Sequence, residues 1–450
     1  VATGRFPTGT VGNLTPPNIL YLHSHDTGRW VQPYGHQVVT PNVQRLADQG
    51  VLFRQAFSAA PVCSGSRAAL LTGLAPHSNG MLGLAHRGWS LHDPGQHLVN
   101  TLRTGGYRSV LVGEQHVSED PGVLGYDEVL DVPSNHAAEV GPRAVEAIGR
   151  LAAAEQPWFL SVGFFETHRD FDTPTSVRDT LYSQPPANLP DAPETREDIA
   201  AFKASARTLD QGIGAVLDAL QRNGLDETTL VVCTTDHGLP FPGAKATLTD
   251  RGTGVLLIMR GPGGFTGGRV VDPMVTQLDL FPTFCDVAGI PAPDRLQGRS
   301  LLPLVQGQVE RLHDDVFSEL TYHAAYEPTR AIRTERWKYI RRFHDHPTPV
   351  LANVDDSLSK QLLVAHGWDE VAVPREELFD LVLDPAELVD RATDPALADV
   401  VAALRTRLEA WMRATHDSLL DGPVDPPPGA VVNDPWQRSP DDPVREVRAT

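Results

Sequence analysis

Lysine is nearly missing from this 450-residue chain: Lys203, Lys245, Lys338 and Lys360 are the only four, and arginine supplies the remaining positive charge. Acidic residues outnumber basic ones by 57 to 38, for a net charge of −19. No broad basic surface is available to neutralise phosphates, which argues against a nucleic-acid partner and an anionic membrane surface. An anionic substrate therefore needs a local cluster of cations. Cysteine is sparse as well: Cys63, Cys233 and Cys285 are too few, and odd in number, for a disulfide framework. No uninterrupted apolar run approaches the roughly 20 residues of a membrane span. The opening VATGRFPTGTVGNLTPP lacks the apolar core of a signal peptide. The expected location is cytoplasmic; a secreted or periplasmic one would require prior removal of a signal. Oligomeric state leaves no mark on the sequence.

What is present is an alternation of short apolar runs with helical patterns. NILYLHS (18–24), SVLVG (109–113), PWFLSVGFF (157–165), LVVCTTD (230–236) and GVLLIMR (254–260) read as buried strands. Helical spacing is clear over 144–155 and 197–224, and near TQLDLFPTFCDVAG (276–289). Strands alternating with helices predict an α/β fold whose sheet is covered on both faces. Residues 1–310 are expected to form this main domain and 311–420 a smaller C-terminal α+β subdomain. Residues 421–450, rich in proline, read as an extended tail wrapping the surface. Ligands of open α/β sheets gather at the carboxyl ends of strands.

Polar residues at those ends are the chemical candidates. HSHDTGR places His25 and Asp26 after the first run, and TTDHG places Asp236 and His237 after another. Carboxylate oxygen beside imidazole nitrogen suits a divalent metal; the plain alternative is a helix cap and a common turn. GEQH ends in His116, and FFETHRD carries His168 and Arg169. A lone histidine after a strand is more often structural than catalytic. Lys245, in PFPGAKAT, stands out because lysine is so rare. In PVCSGSRAALLTG, Cys63 sits at a helix start with Arg67 four residues on, where a thiolate is stabilised. A small packed hydrophobe is the plain reading of the same cysteine.

Taken in order, NILYLHSHD, PNVQRLADQGVLFRQAFSAAPVCSGSRAALLTG, GEQH, PWFLSVGFFETH, LVVCTTDHG, QLDLFPTFCDVAGI and RAIRTERWKYI resemble the sulfatase family of the alkaline phosphatase superfamily. SNGMLGLAHRG, DHGLPFP and the closing WMRATHD are most similar to its N-sulfoglucosamine sulfohydrolase (sulfamidase) branch. The resemblance implies an alkaline-phosphatase-like large mixed β-sheet flanked by helices. It implies a metal-dependent hydrolase that cleaves the S–O bond of a sulfate ester or the S–N bond of a sulfamate. Its nucleophile is a formylglycine made by a formylglycine-generating enzyme from the cysteine of a C-x-P-S/A-R signature. Cys63 holds that position, with Ser66 and Arg67 matching. Of the two hydroxyls on the hydrated aldehyde, one attacks sulfur and the other drives elimination. Asp26, Asp236 and His237 match metal positions, with His25 and Cys63 beside them. Arg67 steadies the nucleophile, His116 serves elimination, and His168 and Lys245 bind the transferred group or protonate the leaving group. Ser66 and Arg169 are candidates for substrate binding. The implied substrate is a small sulfated or phosphorylated anion, such as a sugar.

Four departures accompany the match. His25 stands where the family usually places an aspartate, and His237 where it usually places asparagine. Two imidazoles soften the ligand set, which shifts the expected ion to Mn²⁺ or Zn²⁺, with Ca²⁺ or Mg²⁺ as alternatives. Glu114 and Gln115 replace the usual G-K-x-H lysine element. Gly65 replaces the proline that the maturation enzyme reads, so residue 63 is either formylglycine or a thiol; a thiol would ligate a soft metal or attack once. The Asp-His pair is also what phosphonate monoester hydrolases carry, making a phosphodiester or phosphonate monoester hydrolase the alternative enzyme. A non-catalytic homologue binding sulfated or phosphorylated ligands is the alternative of another class.

Overall fold

A computed structural model describes residues 16–174 and 176–448. The opening segment read above for a signal lies almost wholly outside them.

The main sheet has eight strands: β1 (Asn18–Ser24), β2 (Val51–Phe53), β3 (Arg108–Gly113), β4 (Glu128–Leu130), β5 (Trp158–Gly163), β6 (Thr229–Thr235), β7 (Leu257–Arg260) and β8 (Arg269–Val271). Their spatial order is β8-β2-β7-β6-β1-β5-β3-β4. β1 pairs in parallel with both β5 and β6, and β3 continues the parallel run beyond β5. β7 is antiparallel to β6 and to β2, which makes the sheet mixed. β1 and β6 are buried almost throughout because helices cover both faces. Alternation divides the two layers. Ile19, Tyr21, Leu230 and Val232 pack toward α1 (Cys63–Thr72) and α4 (Leu280–Ala288). Leu20, Leu22, Val231 and Cys233 pack toward α2 (Ala137–Leu151) and α3 (Pro193–Arg222).

The run GVLLIMR does not form one strand. Gly254–Val255 joins a separate small sheet, and β7 begins only at Leu257. Between them the Leu256 N–H donates to the Gly28 carbonyl (2.8 Å) and its carbonyl accepts from Thr234 Oγ1 (2.6 Å). Those bonds turn the backbone away from the ladder.

The C-terminal part builds an antiparallel sheet, β9 (Val316–Tyr322), β10 (Tyr326–Arg333), β11 (Trp337–Arg342) and β12 (Glu376–Asp380), backed by α5 (Ala398–Ala414). RAIRTERWKYIRRF is thus a hairpin, with Arg333 opposite Lys338. A buried charge network ties this sheet to the main body. The Arg330 guanidinium grips Asp417 through Nε (2.6 Å) and Nη2 (3.1 Å), and Glu319 accepts from the His77 backbone N–H (2.7 Å). Residues 421–448 do not trail as a plain extension. They fold back with a short ribbon, Val431–Val432 against Arg445–Glu446.

Candidate active site

Parallel pairing places the carboxyl ends of β1, β6, β5 and β3 along one edge, and the polar residues that follow them meet there. β1 ends at Ser24, and the chain turns sharply through Asp26, whose φ is 54°. His116, after β3, is also left-handed, at φ 51°. Few residues other than glycine adopt this backbone, and strain of this kind collects at functional sites. The turn separates two histidines that an uninterrupted strand would present alike. His23 faces α1 and Ser161, whereas the His25 ring lies 5.6 Å from that of His116 and 5.5 Å from that of His168.

Cys63 is the first residue of α1, and Val62 ahead of it provides no side-chain cap. The free N–H groups of that first turn favour negative charge at position 63. Its Sγ lies 3.4 Å from His237 Nε2 and 4.0 Å from Asp26 Oδ1. Burial by itself raises a thiol. Here the Lys245 ammonium and His237, with the His116 ring close by, outweigh burial and hold Cys63 well below its usual range. Gly65 lies in the same turn against Ala60. A Cβ there would stand 3.2 Å from the Ala60 methyl, so any larger residue, proline included, requires Ala60 to give way.

One ligand atom from each of His25, Asp26, Cys63 and Asp236 lies within 4.8 Å of the others. Asp26 Oδ1 is 3.0 Å from His237 Nε2, and Asp236 Oδ2 is 3.1 Å from His25 Nδ1. Burial disfavours both carboxylates, yet Lys245 and His237 hold Asp26 ionised, and His237, Arg67 and His25 do so for Asp236. The imidazoles shift the opposite way. Against burial and Arg67, Asp236 lifts His25 to about 9; against burial, Asp236 and Asp26 lift His237 well above its normal value. Among the described residues, neither His25 nitrogen makes a well-aligned hydrogen bond. Such a pocket concentrates positive charge, and a divalent cation would displace the two imidazole protons. The residues therefore fit a metal ion.

Arg67 organises the strand ends. Its guanidinium meets His23 Nδ1 (2.5 Å) and donates to the Ser24 carbonyl (2.8 Å) and Asp236 Oδ2 (3.0 Å). Lys245 is buried between Asp26 Oδ2 (2.9 Å) and Asp355 Oδ2 (3.0 Å), with His168 Nε2 at 3.3 Å. Its ammonium is held charged, well above the ordinary lysine range, because those carboxylates outweigh burial. His116 Nε2 is 2.8 Å from His86 Nδ1. Glu114, where the family lysine would be, accepts from the Gln115 N–H and from Asn135. Burial opposes its charge, but His25, His116 and Arg67 keep it ionised.

Of the two side chains expected to contact substrate, Ser66 is engaged inside the protein, and Arg169 lines the cavity above Cys63 while tied to Asp198. Ser66 is buried, and its hydroxyl donates to the Asp236 carbonyl (2.5 Å), bracing α1 against the end of β6. The Arg169 guanidinium forms a bidentate pair with Asp198 (2.6 and 2.9 Å) and lies over Phe171 and Phe241. Its charge is spent there.

A cavity of about 340 Å³ opens above Cys63, walled by His116, His168 and Lys245 on one side. Its other lining residues include His86, His323, Asp355 and Asp441, of which only His86 falls in a quoted motif. They come from loops without periodicity. The one usable signal was the histidine of SNGMLGLAHRG.

A family profile described as "Sulfatase" matches residues 17–290. The chain belongs to the sulfatase family. A second profile, "N-sulphoglucosamine sulphohydrolase, C-terminal", matches residues 244–356 of this sulfatase. It is 30% identical to N-sulphoglucosamine sulphohydrolase of Homo sapiens, across 91% of this chain and 92% of that protein. A Delta 4,5-hexuronate-2-O-sulfatase of Bacteroides thetaiotaomicron is 26% identical, across 96% of both. A solved structure in complex with its substrate D-glucosamine-2-N,6-O-disulfate superposes with a TM-score of 0.70 at 17% identity, across 91% of this chain and 99% of that one, a likeness of fold. This sulfatase is a hydrolase of sulfate esters or sulfamates.

Proposed function

We propose that this sulfatase removes the sulfo group of an amino sugar, cleaving the S–N bond of an N-sulfoglucosamine-like sulfamate. One observation carries the choice. The stretch similar to the C-terminal part of N-sulphoglucosamine sulphohydrolase, 244–356, supplies Lys245, His323 and Asp355, which lie around the cavity.

Residue 63, at the N-terminus of α1, is the nucleophile position; oxidation of Cys63 to formylglycine would replace the thiol with a hydrated aldehyde. Asp26, Asp236, His25 and His237 would hold a divalent cation, with Mn²⁺ or Zn²⁺ suiting the two imidazoles. That ion would supply Lewis-acid neutralisation of the sulfo oxygens. Arg67 fixes the strand ends around the nucleophile. Lys245, kept charged by Asp26 and Asp355, stabilises negative charge as it grows on the transferred group. The His168 Nδ1–H donates to the Arg169 carbonyl (2.5 Å), which leaves Nε2 as a proton acceptor beside the Lys245 ammonium; once it has taken a proton from that ammonium or from solvent, it would supply that proton to the leaving amine. His116, held by His86, faces residue 63 as the base for elimination.

The His237 contact with both Asp26 and Cys63 favours a second reading, phosphonate monoester hydrolysis. A panel of N-sulfoglucosamine, aryl sulfate and aryl phosphonate monoester separates the two. Fastest turnover of the sulfamate supports the proposal, and turnover of the phosphonate alone rejects it. The mass of the peptide carrying residue 63, measured on the same sample, distinguishes aldehyde from thiol.

A further inference from the structure

The outer wall of the cavity comes from the C-terminal part of the chain. His323, just after β9, lines the cavity and is only 6% exposed. Its Nδ1 is buried and has no hydrogen-bond partner among the described residues. Burial, aided by the Lys245 charge, lowers this imidazole to about 3, so at neutral pH it offers hydrogen bonding and no charge. An unpartnered buried polar atom is costly unless a ligand completes it.

The tail reaches the same cavity as a tied loop. Buried Asn433 donates from Nδ2 to Gln437 Oε1 (3.0 Å) and to the Asp442 carbonyl (3.1 Å). Arg87 donates to Asn433 Oδ1 (2.7 Å) and to the Pro440 carbonyl (3.1 Å). Ser439 Oγ donates to Asp356 Oδ2 (2.5 Å). These bonds set Pro440 and Asp441 into the cavity wall.

Charge at the mouth leans negative, with the Arg87 guanidinium, bonded to neutral oxygens, the cation set beside Asp441. Lys245 is shared between Asp26 and Asp355, Arg169 is paired with Asp198, and Arg87 holds the loop. Asp170 and Asp441 line the mouth, are exposed, and make no ion pair among the described residues, although Asp441 lies in the field of Arg87. The whole chain adds a net −19.

We propose that His323 and the tail loop carrying Asp441 form the recognition wall for the organic part of the substrate. The wall accepts a compact sugar bearing one sulfo group and disfavours a sugar joined to further anionic groups. Hydroxyls meet the His323 imidazole and the Asp441 carboxylate. A carboxylate or second sulfate at the mouth meets Asp170 and Asp441 as like charges, with the wider negative field behind them. The proposal rests on the reading that sulfated sugars are the substrates.

The test is calorimetric binding to full-length Cys63→Ala protein. The ligands are N-sulfoglucosamine and the same sugar joined to a uronic acid, each at low salt and at roughly 0.5 M salt, where the Debye length falls to a few ångströms. The expected result is affinity about tenfold higher for the monosaccharide at low salt, a gap that salt narrows. Asp441→Asn narrows the gap at low salt as well, and His323→Phe weakens both ligands. Equal or tighter binding of the uronate-linked sugar at low salt would overturn this proposal alone, as would an unchanged gap in Asp441→Asn. Binding of neither sugar would remove the sulfated-sugar reading and the proposal with it.

Discussion

Lys245→Met separates the two tasks assigned to the buried ammonium. Its Nζ lies 2.9 Å from Asp26 and 3.0 Å from Asp355. At an effective dielectric near 20, each contact amounts to roughly 5–6 kcal/mol of attraction before the desolvation of the ammonium is subtracted. Methionine fills the space but leaves both carboxylates buried without that partner, and breaking a buried pair in this way costs about 3–5 kcal/mol. The sign of the pH effect follows from the carboxylates. Lys245 holds Asp26 and Asp355 below their ordinary range, against burial. That stability is present above the unfolded carboxylate value and is lost as pH falls through the folded one. The deficit of the variant should therefore be full above about pH 5 and shrink below about pH 4. Catalysis suffers separately, because a charge aimed at the transferring group disappears. A kcat lower by about 10²–10³ is expected, with a smaller change in KM. Urea denaturation across pH and steady-state kinetics on a sulfate ester read the two effects. A kcat within threefold of wild type, or a stability deficit that grows on acidification, would refute the reasoning.

Three further perturbations probe other parts of the account. Arg330→Met strips Asp417 of its bidentate partner between the C-terminal sheet and the main body, while Glu319 keeps His77, so unfolding free energy should drop by about 3–5 kcal/mol while kcat at 25 °C holds; calorimetry with kinetics checks both. Gly65→Pro drives a ring toward Ala60 and should cost about 1–3 kcal/mol, regained largely by adding Ala60→Gly; denaturant midpoints decide this. Apparent Mn²⁺ or Zn²⁺ affinity should climb as pH rises toward about 9, because the proton on His25 must leave for the ion to bind; an affinity that is flat between pH 7 and 9 would place His25 outside the ligand set.

The part of the site that lies on regular structure was legible in the sequence. β1, β3, β5 and β6 are apolar runs that each stop at a polar group, and a parallel sheet must bring those ends to one edge. The helix at Cys63 and the rarity of lysine marked two more positions. What stayed hidden depends on tertiary geometry. Asp355, the second partner of Lys245, sits 110 residues away in an unpatterned loop. The tail read as a surface wrap, yet Arg87 and Asp356 draw it into the cavity wall. Ser66 and Arg169 looked free because their partners, the Asp236 carbonyl and Asp198, are brought to them only by folding. The break in GVLLIMR arises from bonds to Gly28 and Thr234, which no local preference encodes.

Sulfate release from N-sulfoglucosamine tests the central claim most directly, measured on metal-loaded wild-type protein beside Cys63→Ala prepared in the same way. The account predicts steady release by the wild type and none above background by the variant, with both proteins equally folded. Equal release by the two, or none by the wild type while it cleaves an aryl phosphonate monoester, would contradict it.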